Sequence, residues 1–65
     1  MSTEVRVIID RIRAVLKDQK LHFAEILDLF PDSTYRAFLQ AWSELQTAGE
    51  LGREPDGRYF LAAKG

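Results

Sequence analysis

Residues 33–51 read STYRAFLQAWSELQTAGEL and run directly into residues 52–62, GREPDGRYFLA. Tyr35, Phe38, Trp42 and Leu45 recur at intervals of three and four, which places them on one stripe of a helix, with Ala41 and Ala48 beside it. Asp32, Ser33 and Thr34 are cap candidates at its start. Gly49 falls where a left-handed residue closes a helix. Glu54-Pro55-Asp56-Gly57 then forms a turn: proline fixes φ, aspartate tolerates the next position, and glycine accepts positive φ. Leu51, Tyr59 and Leu61 can face inward from the two flanking strands. The spacing predicts a helix over 33–48 that feeds a short β-hairpin over 50–62.

Upstream of this stretch, Phe23, Ile26, Leu27 and Phe30 share one face of a second helix, expected over 23–30. Pro31 ends it, because its ring removes a donor and disfavours helix at the residue before. Two helices joined by a few polar residues make a helix-turn-helix. The first helix is expected over 3–18, with Val5, Ile8, Ile9, Ile12, Val15 and Leu16 as its apolar stripe. Ser2 or Thr3 can cap it, and Glu4 lies in the first turn, where the helix dipole favours an acid. Its opposite face carries Arg6, Asp10, Arg13 and Lys17, and Arg6 and Asp10 can pair across one turn. Val7 and Ala14 also fall away from the core. The link Lys20-Leu21-His22 is short enough to be only an extended link or a one-bridge strand. Residues 62–65 are expected to fray.

With 65 residues the chain makes one domain with one thin core, and with no cysteine there is neither a disulfide nor a thiolate metal site. Charged residues at 29% beside 46% hydrophobic ones describe a globular chain rather than a disordered one. No apolar run approaches the roughly 20 residues that span a bilayer. No signal or transit peptide pattern opens the chain, so a cytoplasmic setting is expected. The net charge of −1 lacks the basic excess usual in a small nucleic-acid binder.

Enzymatic chemistry finds few residues to use. His22 is the only histidine, and its neighbours Leu21 and Phe23 place it beside the core. Glu25 and Asp28 lie three apart with no further convergent ligand, so no metal site is expected. There is no glycine-rich phosphate loop, serine elbow or cofactor motif, and the chain has little volume for a small-molecule pocket. A DNA-binding reading finds more. With the core stripe assigned, the third helix leaves Arg36, Gln40, Ser43 and Thr47 outward, with Ala37 near its start. Arginine can reach guanine, glutamine can pair with adenine, and alanine can touch a thymine methyl. Ser33 and Thr34, with the amides of the helix start, can hold a phosphate. Arg53 and Arg58 flank the hairpin turn. Against this, Glu44 offsets Arg36, and Glu54 and Asp56 at the turn repel phosphate.

The pattern Ser33-Thr34, Leu45, Gly49 and Leu51 followed by Gly57-Arg58-Tyr59 resembles the recognition helix and wing of bacterial winged helix-turn-helix domains, over nearly the whole chain. Leu21-His22-Phe23 with Glu25-Ile26, and Gly57-Arg58-Tyr59-Phe60-Leu61, are similar to a winged-helix module of chromatin and restriction proteins, which implies DNA. Phe23-Ala24-Glu25 with Phe38-Leu39 and Glu44-Leu45 is similar to the C-terminal winged helix of bacterial kleisins, which implies docking onto an SMC ATPase head. The expectation is a small α+β winged helix over residues 1–65, three helices followed by a hairpin wing, and not an enzyme. It would bind double-stranded DNA as a transcriptional regulator or nucleoprotein component, reading the major groove with helix 3. A homodimer would supply two half-sites. The alternative is a protein-interaction winged helix acting as an adaptor in a larger complex. Leu39 is expected to be only partly buried, and Trp42 to belong to the core rather than to an interface.

Overall fold

The structure, a computed structural model, describes residues 3–62. Three helices, α1 (Thr3–Asp18), α2 (Phe23–Leu27) and α3 (Tyr35–Thr47), precede an antiparallel hairpin of β1 (Leu51–Arg53) and β2 (Tyr59–Leu61). In α1 the three-and-four spacing buries Val5, Ile8, Ile9, Ile12 and Leu16, while Val15 stays half-buried at the edge of the stripe. Each of the buried aliphatic side chains contributes about 1.5–3 kcal/mol on leaving water. Thr3 is the first residue of α1, and Ser2, the other cap candidate, lies outside the described residues.

The second helix is shorter than its apolar spacing suggests. It starts at Phe23, where the Glu25 carboxylate accepts the His22 backbone N–H at 2.8 Å. After Leu27 the chain tightens: the Leu29 N–H reaches the Ile26 carbonyl and the Phe30 N–H the Leu27 carbonyl, at 3.0 and 3.1 Å. These i to i−3 bonds close the helix just before Pro31, whose ring disfavours helical geometry at Phe30. Phe30 is nonetheless buried. Its spacing reported burial rather than helix.

The third helix begins at Tyr35 because Thr34, extended at φ −72° and ψ 149°, caps it: its hydroxyl oxygen accepts the Ala37 N–H at 3.1 Å. At the other end Gly49 takes φ +73°. The Gly49 N–H bonds the Gln46 carbonyl and the Glu50 N–H bonds the Leu45 carbonyl, the paired pattern of a Schellman stop. The buried stripe comprises Ala37, Phe38, Ala41, Trp42 and Leu45. Tyr35, expected on that stripe, is instead 58% exposed. The stripe is rotated toward Ala37 and Ala41, whose small side chains allow α1 to pack closely, and this turns Tyr35 outward.

Aromatic rings join the parts. Phe38 has Phe23 and Phe30 at 5.5 and 5.6 Å between centroids, and Trp42 meets Phe23 at 5.1 Å and Tyr59 at 4.9 Å, both edge-on. The hairpin pairs Leu51 with Leu61, Gly52 with Phe60 and Arg53 with Tyr59. Leu51, Tyr59 and Leu61 pack against the core, as the alternation requires. Gly57 closes the turn at φ +97°. The Lys20-Leu21-His22 link does form one bridge, with Leu21 and Tyr59 exchanging backbone hydrogen bonds. The Ala62 N–H is held by the Glu50 carbonyl at 2.7 Å, so order extends through that residue, and 63–65 lie outside the described residues. No described helix is long and apolar enough to cross a membrane.

Candidate functional site

The outward surface of α3 and the adjoining hairpin carry most of the residues singled out above. Arg36, Gln40, Ser43 and Thr47 are exposed along α3, as the leftover stripe requires, and Ser33 is half-buried in the turn before it. Ala37 corrects the expectation. It is 8% exposed and belongs to the buried stripe, so its methyl packs in the core and is not available to a thymine. Two apolar side chains share the outward face instead: Tyr35 and, at 39% exposure, Leu39, one helical turn apart. Leu39 is as expected. Tyr35 is missed by sequence reasoning, since its spacing puts it on the core stripe; the one signal for it is its position directly after the cap.

The start of α3 is already occupied. The Glu4 carboxylate of α1 accepts the Thr34 backbone N–H at 3.2 Å, while the Thr34 hydroxyl accepts from Ala37. An acid of the chain thus sits where an incoming phosphate would be held, at the positive end of the helix dipole. Sequence spacing gives no sign of this contact, because it depends on how α1 crosses α3.

Ion pairs neutralise much of the hairpin. The Arg58 Nε donates to Asp56 at 2.8 Å and its backbone N–H to the same carboxylate at 3.0 Å. That backbone bond, helped by the side-chain bond, holds the Asp56 carboxyl below its ordinary value. Lys20 Nζ donates to Glu54 at 2.8 Å and lies over the Phe60 ring. Arg53 has no ion pair among the described residues, and its guanidinium stacks 5.7 Å from the Tyr59 ring centroid.

Behind α3, Arg13 grips Glu50 with two bonds of 2.7 Å, Nε and one terminal nitrogen each donating to a carboxylate oxygen. The hydrogen bonds lower the Glu50 carboxyl and raise the Arg13 guanidinium. Asp10, expected to pair with Arg6, lies 3.6 Å from Arg13 instead. Glu50 therefore ties three elements: its amide closes α3, its carbonyl holds Ala62, and its side chain anchors α1.

An open cleft of about 270 Å³ lies between the end of α1 and β2, lined by Leu16, Lys17, Lys20, Phe60 and Leu61 among others. It falls short of the roughly 300–1,000 Å³ common for small-molecule sites. Comparison of the chain with family models, curated proteins and solved structures returns no match.

Proposed function

We propose that the chain is a winged helix that acts as a protein-interaction adaptor, contacting its partner with the outward face of α3. One observation carries this: the groups a phosphate backbone would use are largely paired with acids of the chain itself, while that face offers tyrosine and leucine. Glu4 takes the Thr34 amide, Asp56 takes Arg58 and Glu54 takes Lys20. What is left outward is Tyr35, Arg36, Leu39, Gln40 and Ser43, and tyrosine and arginine are the residue types that concentrate binding energy at protein interfaces. Arg36 and Glu44 sit on one helix surface, so the face carries little net field to steer a polyanion.

The DNA reading is the second proposal. Arg36, Gln40 and Ser43 on α3 and Arg53 on the hairpin are exposed and have no ion-pair partner among the described residues, and their chemistry suits base edges and phosphates. A winged-helix regulator would insert α3 in the major groove and lay the hairpin along the backbone.

One titration separates the two. Random-sequence duplex added to labelled chain at low salt should leave the amides of residues 33–43 and 53–58 unmoved. A photo-crosslinking residue at Leu39 should capture a single partner in cells, and Tyr35→Ala should abolish that capture with the fold intact. Duplex-dependent shifts in those two segments, lost at high salt and in Arg36→Ala with Arg53→Ala, would overturn the adaptor reading in favour of DNA.

A further inference from the structure

The surface of α1 directly opposite its core stripe is composed of Val7, Asp10, Ala14 and Lys17, spaced three and four apart, with Arg11 and Asp18 along one flank. All six are exposed, Val7 at 55%. Four of the charges on this face follow a rule, while Arg6 and Arg13 at its margin keep one sign and Arg13 is held by Glu50. Seven residues on, the sign inverts on both flanks, from Asp10 to Lys17 and from Arg11 to Asp18. Inside one helix this pattern yields nothing, because residues seven apart are separated by about 10 Å along the axis. Arg11, Lys17 and Asp18 have no ion pair among the described residues, and Asp10 has only the 3.6 Å approach of Arg13. Arg11 and Asp18 have no opposite charge one turn away within the helix: Val7, Ala14 and Val15 surround Arg11, and Ala14 and Val15 precede Asp18; Asp10 alone has cations one turn away, Arg6 and Arg13.

The pattern does pair two helices. When identical helices lie antiparallel, a given flank meets the same flank of the other copy, and residues at similar distances on either side of the centre come opposite each other. With the centre at Ala14, Asp10 meets Lys17 and Arg11 meets Asp18, each twice. Alanine at the crossing point allows the backbones to approach closely, and the two helix dipoles run antiparallel. We propose that this face of α1 joins two copies of the chain in an antiparallel pair centred on Ala14. The contact is small and largely charged. It makes a weak, salt-sensitive dimer of the transient class rather than an obligate one. It lies on α1, independent of what α3 contacts, and it would present two α3 faces on one particle.

Sedimentation velocity on the full chain, from micromolar to millimolar concentration at low salt, tests the pairing. A monomer–dimer equilibrium that shifts toward monomer as salt is raised is the expected result. Ala14→Glu should raise the dissociation constant about tenfold or more by placing two acids at the crossing point. Asp10→Lys alone should do the same. Asp10→Lys combined with Lys17→Asp should restore association, because the exchanged charges again face opposites across an antiparallel pair. In a side-by-side parallel pair the double exchange would instead set the introduced lysine against Arg11 of the other copy, and association would not recover. Circular dichroism of each variant shows that α1 is retained. A chain that stays monomeric throughout, a dimer indifferent to Ala14→Glu, or a double exchange that does not recover would each overturn the proposal.

Discussion

Replacing Trp42 by alanine distinguishes a core side chain from an interface anchor, and the structure makes the expected cost large. The indole is 6% exposed and touches Phe23, Phe38 and Tyr59, with ring centroids at 5.1, 6.0 and 4.9 Å. It links α2, α3 and β2 at one point. Truncating a buried aromatic to alanine costs about 3–5 kcal/mol. Aromatic pairs add about 0.5–1.5 kcal/mol each beyond their area, part of which is already in that figure. A domain of 65 residues has a total stability of roughly 3–10 kcal/mol. Trp42→Ala should therefore remove roughly a third or more of that stability, and at the lower end of the range leave the chain unfolded without denaturant. Trp42→Phe keeps a ring beside Phe38 and should lose only about 1–2 kcal/mol, within the ordinary range for a core substitution. Urea titration followed by far-ultraviolet circular dichroism measures both. In the parent, the single tryptophan also reports through its fluorescence, blue-shifted when folded and red-shifted when unfolded. A Trp42→Ala chain with an unchanged urea midpoint would refute the core assignment and return Trp42 to the surface.

Three further outcomes follow from the same contacts. Gly49→Ala should cost about 1–2 kcal/mol in urea titration, the penalty for a left-handed residue with a side chain, because a Cβ there meets nothing within 4 Å and the effect is conformational alone. Thr34→Ala should cost about 1 kcal/mol through the lost cap, read as a lower thermal midpoint with faster amide exchange at Ala37. Glu50 has its carboxyl lowered in the folded chain by Arg13, so its contribution is present above the unfolded value of about 4.3 and is lost as pH falls through the folded value. The thermal midpoint should decline across that acid range, and Glu50→Gln should flatten part of the decline while lowering the midpoint near neutral pH.

The two halves of the expected site fared differently for a physical reason. Arg36, Gln40, Ser43 and Thr47 were readable as outward because a helix of fixed period must turn them away once Phe38, Trp42 and Leu45 face the core. Ala37 and Tyr35 sit at the two margins of that stripe, where a rotation of a few tens of degrees decides exposure. Only the neighbouring helix sets that rotation. Glu4 on the Thr34 amide and Arg13 on Glu50 could not be read at all, since the partners stand 30 and 37 residues apart in the chain.

The sequence by itself determined the order of elements and several of their ends: α1 from its apolar stripe, the stop of α3 at Gly49 and the turn at Gly57. These depend on backbone preferences and local periodicity, which act over a few residues. The tertiary structure alone decided which long-range pairings form around the outward surface. Whether a cation stays free for a partner depends on which acid the packing brings within hydrogen-bonding reach of it, and the crossing of α1 over α3 and the closing of the hairpin on the link bring Glu4, Glu50 and Glu54 to their partners. The near-neutrality of α3 itself, Arg36 against Glu44, is legible in the sequence; packing adds the pairing of Arg13 and Lys20 around it and turns Tyr35 outward beside Leu39.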